Sequence, residues 1–307
     1  MNRRFGLREC GLAVALSMLV GACSSPIPGA TGTLTAGSAA SAASTEPSAP
    51  TGAFTPPIGC VDGGSCQLVM DVRAPAGDGP WPLILLVPGG PQPLLEQPKL
   101  LVDTLAPALA KEGAVVLTIQ WRQGPLYGVS FPDNVADVAC AIGVARSVGA
   151  SYGADPATVT LVGHSLGGWA GAVLALTPSE YAPDAGACNA TAGSLRPDRF
   201  VSIAGGLNEA TVVDDISMAA QLGIDPADAA AADPFALIER YPPGMPITLI
   251  HGTADIDVLP DVSREFRSAA VARGYTVDLI EVEGADHHSV LTAQETIATI
   301  MAVATAD

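Results

Sequence analysis

Positive charge is scarce in this chain. Its 307 residues carry 14 lysines and arginines against 31 aspartates and glutamates, a formal net charge of −17. A surface so acidic repels phosphate backbones and anionic headgroups, which argues against nucleic acid and anionic lipid surfaces as partners. Histidine is scarcer still, with four copies, so chemistry that needs an imidazole has few places to be. No internal repeat is present, which sets aside solenoid and propeller architectures. No histidine lies at ligand spacing from a cysteine, so zinc binding is the weaker use for the cysteines. The apolar run at residues 11–20, GLAVALSMLV, is too short to span a bilayer, which takes about 20 residues.

That run has another use. Arg3, Arg4 and Arg8 stand before or beside it, and small residues follow it, the layout of an export signal. Val20-Gly21-Ala22-Cys23 resembles a bacterial lipobox, in which the cysteine becomes the lipidated N-terminus after cleavage. We therefore expect a signal peptide over 1–22 and lipidation at Cys23; the alternative is an ordinary secretory signal with an incidental cysteine. Residues 23–57 are mainly Ser, Thr, Ala, Gly and Pro, too poor in large apolar side chains to offset ordering entropy, as a flexible tether should be. Loss of 1–22 takes away three arginines and one glutamate and moves the net charge from −17 to −19. The expected location is the cell envelope outside the cytoplasm, with membrane contact only through the lipid anchor.

In an oxidising compartment the remaining cysteines, Cys60, Cys66, Cys140 and Cys188, suggest two disulfides. Cys60–Cys66 and Cys140–Cys188 is the favoured pairing of the three possible. Residues 58–307 are enough for one large core. Apolar strand-length runs at 67–74, 81–90, 114–121, 158–164, 199–206, 245–252 and 276–284 alternate with helical segments at 98–112, 132–149, 166–176, 261–273 and 290–304. Several strands are continuously Val, Ile and Leu, as strands covered on both faces are. Strand and helix in alternation predict an α/β fold, a doubly wound, mostly parallel sheet with its ligand at the carboxyl ends of the strands.

One such end reads Gly163-His164-Ser165-Leu166-Gly167, followed by the helical GWAGAVLAL. A G-x-S-x-G between strand and helix is the setting of a nucleophile elbow. Glycines on either side let strand and helix approach, the turn lifts the Ser165 hydroxyl above the sheet, and the Leu166 N–H faces the reacting oxygen.

With FPDNVADVACAI, SYGADPATVTLVGHSLGG, HGTADIDV and GADHHSV in this order, the chain resembles an α/β-hydrolase over most of 67–304, closest to bacterial carboxylesterases and feruloyl-esterase-like lipases. The resemblance implies a serine, acid, histidine order. It puts the acid at Asp255 rather than Asp257, and the general base at His287 rather than His288, which replaces an aromatic in the family's closing motif. His164 is expected to pack or hydrogen-bond beneath the turn, and His251 to be structural. The relatives usually carry His-Gly-Gly after the first long central strand; here the strand ends in Pro88-Gly89-Gly90-Pro91. Pro91 has no N–H, so the implied oxyanion donors are the Gly90 and Leu166 amides, unless the stretch is only a tight turn.

No large cap domain fits. Residues 207–243 form either a decorated crossover, which we favour, or a helical flap, and Tyr127 and Phe131 are candidate pocket walls. The expected protein is an exported, monomeric serine hydrolase that cleaves carboxylic esters of small or acylated substrates through an acyl-enzyme, with no cofactor or metal. Peptide or amide hydrolysis and a catalytically silent surface protein of the same fold remain the alternatives.

Overall fold

The computed structural model describes residues 52–54, 70–90, 100–125, 128–178, 193–208, 212–213 and 216–306, all within one compact unit, Glu46–Asp307. The expected signal peptide, most of the tether, Cys23, Cys60, Cys66, Cys188 and Tyr127 lie outside the described residues.

The sequence runs β1 (Gly52–Phe54), β2 (Met70–Arg73), β3 (Trp81–Val87), a π-helical turn (Leu101–Leu105) leading into α1 (Ala106–Lys111), β4 (Val115–Ile119), α2 (Asp133–Ala150), β5 (Ala154–His164), α3 (Leu166–Leu176) and β6 (Arg199–Ile203). A small hairpin of β7 (Val212–Val213) and β8 (Ile216–Ser217) follows, then α4 (Met218–Leu222), α5 (Ala229–Ala232) and α6 (Pro234–Arg240). The chain closes with β9 (Ile247–Gly252), α7 (Asp261–Ala272), β10 (Val277–Val282), a 3-10 turn (Ser289–Thr292) and α8 (Gln294–Ala304).

The main sheet has eight strands in the order β1-β2-β4-β3-β5-β6-β9-β10. β2 pairs antiparallel with both its neighbours, β1 and β4, and the other pairs of this sheet are parallel. Residues alternate between two cores. Leu83, Leu85 and Val87 of β3 face α2 and α3, whereas Ile84 and Leu86 face α1 and α8. Both faces are covered, so the strand is apolar at every position. Each fully buried side chain of this kind contributes roughly 2 kcal/mol. Helix α3 is buried along its whole length, and its glycines and alanines allow that depth. Helix α7 is a surface helix that buries only Ser263, Phe266 and Ala270, the three-and-four spacing of one helical face.

Residues 217–243 are packed into the body. Met218, Leu222, Leu237 and Ile238 are buried in the core, and the Trp169 indole N–H donates to the Ala232 carbonyl at 2.7 Å. Asp233 caps α6 by accepting from the Phe235 N–H at 3.0 Å, with Pro234 in the first turn, the usual chemistry of a helix start. Phe131, expected as a pocket wall, is buried edge-on to Trp169, with ring centroids 6.1 Å apart. Its large apolar ring is better satisfied in the core. Cys140 is buried on α2. No helix among the described residues is long and apolar enough to cross a membrane.

The chain passes from β3 outward to β4 and then back across to β5, on the far side of β3. The carboxyl ends of β3 and β5 therefore flank a crevice at the reversal of strand order, where α/β sheets bind their ligands.

Candidate active site

Ser165 stands in that crevice, between the last residue of β5 and the first of α3. Its backbone has φ 54 and ψ −120, a region that non-glycine residues enter at a cost of about 1–3 kcal/mol. The surroundings hold it there. Its N–H donates to Ile203 at 3.0 Å, and its carbonyl accepts from Gly168 at 2.9 Å, Trp169 at 3.2 Å and Gly206 at 3.3 Å. A Cβ on Gly163 would fall on the Gly167 carbonyl, and one on Gly167 would fall on the Val87 carbonyl, so the turn closes only with both glycines. Leu166 opens α3, and its amide is one of the N–H groups that a helix start leaves without an intrahelical acceptor.

The acid and histidine arrive from the other side of the sheet. Asp255 follows β9 and is 2% exposed. Its Oδ1 accepts from the N–H groups of Asp257 and Val258, each at 2.9 Å. Its Oδ2 accepts from His287 Nδ1 at 2.8 Å and lies 3.3 Å from His251 Nε2. Burial alone would raise this carboxyl. The hydrogen bonds from His251, His287 and Val258 outweigh burial and hold it well below the usual carboxylate range.

His251 is oriented in turn by the Val258 carbonyl at 2.9 Å and the Ser263 hydroxyl at 2.7 Å. Since a carbonyl only accepts, His251 Nε2 carries a hydrogen, and this ring is a fixed support behind Asp255. The Asp257 side chain is exposed and serves the loop only through its backbone. Asp255, Asp257 and His287 bring ligand atoms within 4.8 Å of one another, but both Asp255 oxygens are already engaged by N–H donors.

His287 is buried beside Asp255 while His288 is exposed, their rings meeting edge-on at 5.4 Å. Asp286 builds the turn that separates them, its Oδ1 accepting from the His288 and Ser289 amides at 3.0 and 2.7 Å. The loops after β9 and β10 are stitched together. Ala254 N–H donates to Ala285 at 2.9 Å, Gly284 N–H to the Thr253 hydroxyl at 2.8 Å, and Thr253 N–H to Val282 at 3.0 Å.

His164 connects this pair to the elbow. Its Nε2–H donates to the His287 carbonyl at 2.9 Å, and the two rings lie 4.7 Å apart. Burial, reinforced by the nearby His287, lowers His164 from 6.5 to about 3, so it is neutral at physiological pH. Below pH 6.5 the unfolded chain takes up this proton and the folded one does not, so stability falls as pH drops from 6.5 toward 3. By linkage, His164 alone should make the protein about 2 kcal/mol less stable at pH 5 than at pH 7. His164→Gln keeps a donor for the His287 carbonyl without the titration, and urea unfolding at the two pH values should show a correspondingly flatter profile.

The structure thus places Ser165 at the elbow and pairs Asp255 with His287. It also shows supports that sequence reasoning missed. The Trp121 indole N–H donates to the Pro88 carbonyl at 3.0 Å, and the Gln123 amide donates to the Gly89 carbonyl at 2.9 Å. Gly89 abuts the serine so closely that a Cβ there would lie 2.5 Å from Ser165 Cβ. The available signal was the polar residue Gln123, four positions beyond a fully buried strand, since buried polar groups need partners.

Residues 70–270 match the BD-FAE family. Among solved structures, the butyrate-bound esterase Est2 of the planctomycete Thermogutta terrifontis is 25% identical, with a TM-score of 0.63 over 81% of this chain and 91% of that one. The same esterase phosphonylated by sarin aligns at 23% identity and TM-score 0.63, covering 82% and 94%. A truncated carbohydrate esterase from gut microbiota shares 18% identity, a TM-score of 0.64, and 83% and 97% coverage. Among curated proteins, none matches. With the family match running over residues 70–270 of 307, the chain belongs to the BD-FAE family of α/β-hydrolases and is an esterase, a hydrolase of carboxylic esters.

Proposed function

We propose that the protein cleaves short-chain acyl esters with Ser165 as nucleophile, His287 as general base and acid, and Asp255 orienting His287. The observation that carries this reading is the 2.8 Å bond from His287 Nδ1 to a buried Asp255, tied to the serine elbow through the bond from His164 to the His287 carbonyl. Asp255 accepts the Nδ1 hydrogen, which fixes the tautomer with Nε2 as the basic atom, and stays ionised throughout. Ser165 Oγ attacks the carbonyl carbon as its proton passes to His287 Nε2, and the carbonyl electron pair moves onto oxygen. The Gly90 and Leu166 amides hold that oxyanion. On collapse the C–O bond to the leaving group breaks, and the alkoxide takes the proton from His287. Water then attacks the acyl-enzyme by the same proton path and releases the acid and Ser165.

Short acyl groups are favoured because the Thermogutta esterase binds butyrate and propionate, and the gut relative that acts on carbohydrate esters makes acylated sugars a fitting class. In a nitrophenyl ester panel, kcat/KM should be highest for acetate to butyrate and at least about tenfold lower for decanoate, each missing or surplus methylene in a fitted pocket counting for about 1–3 kcal/mol. A maximum at long chains would refute the short-chain assignment. We further propose export and anchoring through Cys23, supported by the Val20-Gly21-Ala22-Cys23 motif; recovery of the Cys23→Ala protein in the membrane fraction would contradict it.

A further inference from the structure

The loop that faces Ser165, Pro88-Gly89-Gly90, is held by side chains from beyond β4. β4 runs on into Trp121, Arg122 and Gln123, three residues that are buried with side chains pointing alternately. Trp121 and Gln123 turn toward β3 and bind the carbonyls of Pro88 and Gly89 at 3.0 and 2.9 Å. Arg122 turns away and grips Asp137 of α2 through two bonds of 2.7 Å. Asn134 of the same helix donates to the Gln123 carbonyl at 3.3 Å and to the Leu222 carbonyl at 3.0 Å. The Gln123 carboxamide packs against Gly90, where a Cβ would fall on its Oε1.

We propose that Gln123 is a positioning residue that aims the Gly90 N–H at the oxyanion. The peptide between Gly89 and Gly90 is planar and trans, so its C=O and N–H point in opposite directions. Fixing the Gly89 carbonyl on Gln123 fixes the Gly90 N–H on the opposite side, away from Gln123, and the Gly89–Ser165 contact sets the loop beside the nucleophile. Trp121 fixes the preceding carbonyl, so the plane has little freedom to rotate. A donor that is already oriented costs no reorganisation when charge develops. Arg122 and Asn134, anchored to α2, hold the clamp itself. This inference rests on the reading of Ser165 as nucleophile.

The test uses the full protein with Gln123→Glu, which keeps the shape but at neutral pH has no hydrogen for the Gly89 carbonyl, and Gln123→Leu, which removes both polar atoms. Each is assayed on nitrophenyl acetate and on its thionoester, whose sulfur accepts hydrogen bonds poorly. Loss of a whole oxyanion donor costs about 10²–10³ in kcat, so a misaimed donor should cost about 10- to 100-fold, with KM changed less than about threefold. The oxoester-to-thionoester ratio of kcat/KM should fall about tenfold. That ratio does not depend on the fraction of active protein, so a partly unfolded variant still reports. A wild-type ratio in both variants overturns the role of Gln123, whatever their kcat. Hydrolysis that survives Ser165→Ala overturns instead the nucleophile reading beneath it.

Discussion

Ser165→Ala should lower kcat on a short-chain ester by on the order of 10⁶-fold and abolish labelling by a fluorophosphonate, with stability changed by less than about 0.5 kcal/mol. The size of the loss follows from removing the only atom that forms the covalent bond, after which the oxyanion donors and substrate binding alone provide a residual of about 10³–10⁴ over water. Unchanged stability follows from how the residue is held. Every bond that fixes it is made by its backbone N–H and carbonyl, and alanine pays the same steric cost at φ 54 as serine does. The sarin adduct of the Thermogutta relative makes organophosphorus reagents a natural probe. Activity within about 100-fold of wild type in a folded Ser165→Ala protein would remove the serine mechanism altogether.

The second large effect separates two neighbours. His287→Ala should lower kcat by about 10⁵–10⁶-fold, close to the loss of the nucleophile itself because the two act as one unit. His288→Ala should change it by less than about threefold. His287 is buried and donates to Asp255 at 2.8 Å, whereas His288 is exposed and contributes its amide to the Asp286 turn at 3.0 Å, a bond that alanine retains. Asp255→Asn should fall by about 10⁴-fold, since an amide favours the wrong tautomer of the imidazole. These values are read as kcat on one ester at a pH where the wild type is fully active. A dead His288→Ala beside an active His287→Ala would reverse the assignment.

Much of this arrangement is legible in the amino-acid order because it rests on local physics. Apolar-rich runs of strand length mark the seven longer strands, several of them continuously apolar, and the elbow glycines mark a junction that admits no Cβ. β5 begins at Ala154 rather than at 158, and the segment around 217–243, favoured as a crossover, packs its apolar side chains into the core. The clamp on the Pro88–Gly90 loop is a different case. Trp121 and Gln123 reach carbonyls 33 and 34 residues away, and a side chain bound to a distant backbone leaves no periodicity or spacing to read. The same holds for Phe131, whose burial against Trp169 depends on how α2 and α3 meet. His164 was legible as a residue beneath the turn, but its acceptor, the His287 carbonyl, lies 123 residues on.

The two halves of the site differ in where they sit in the sheet. Ser165 leaves β5, which is central, while the acid and histidine follow β9 and β10, the last two strands of one side, through loops bound to each other. Local opening of a protein begins where the fewest neighbours must be given up, at such margins, and costs less than global unfolding. Opening at this margin would carry the Asp255–His287 pair off together and would break the His164 bond to the His287 carbonyl, while β3 and β5 stay paired. On the proposed triad, catalytic competence would then be a property of the sheet's edge rather than of its centre, and a molecule opened there would regain it by reclosing one margin without refolding the whole.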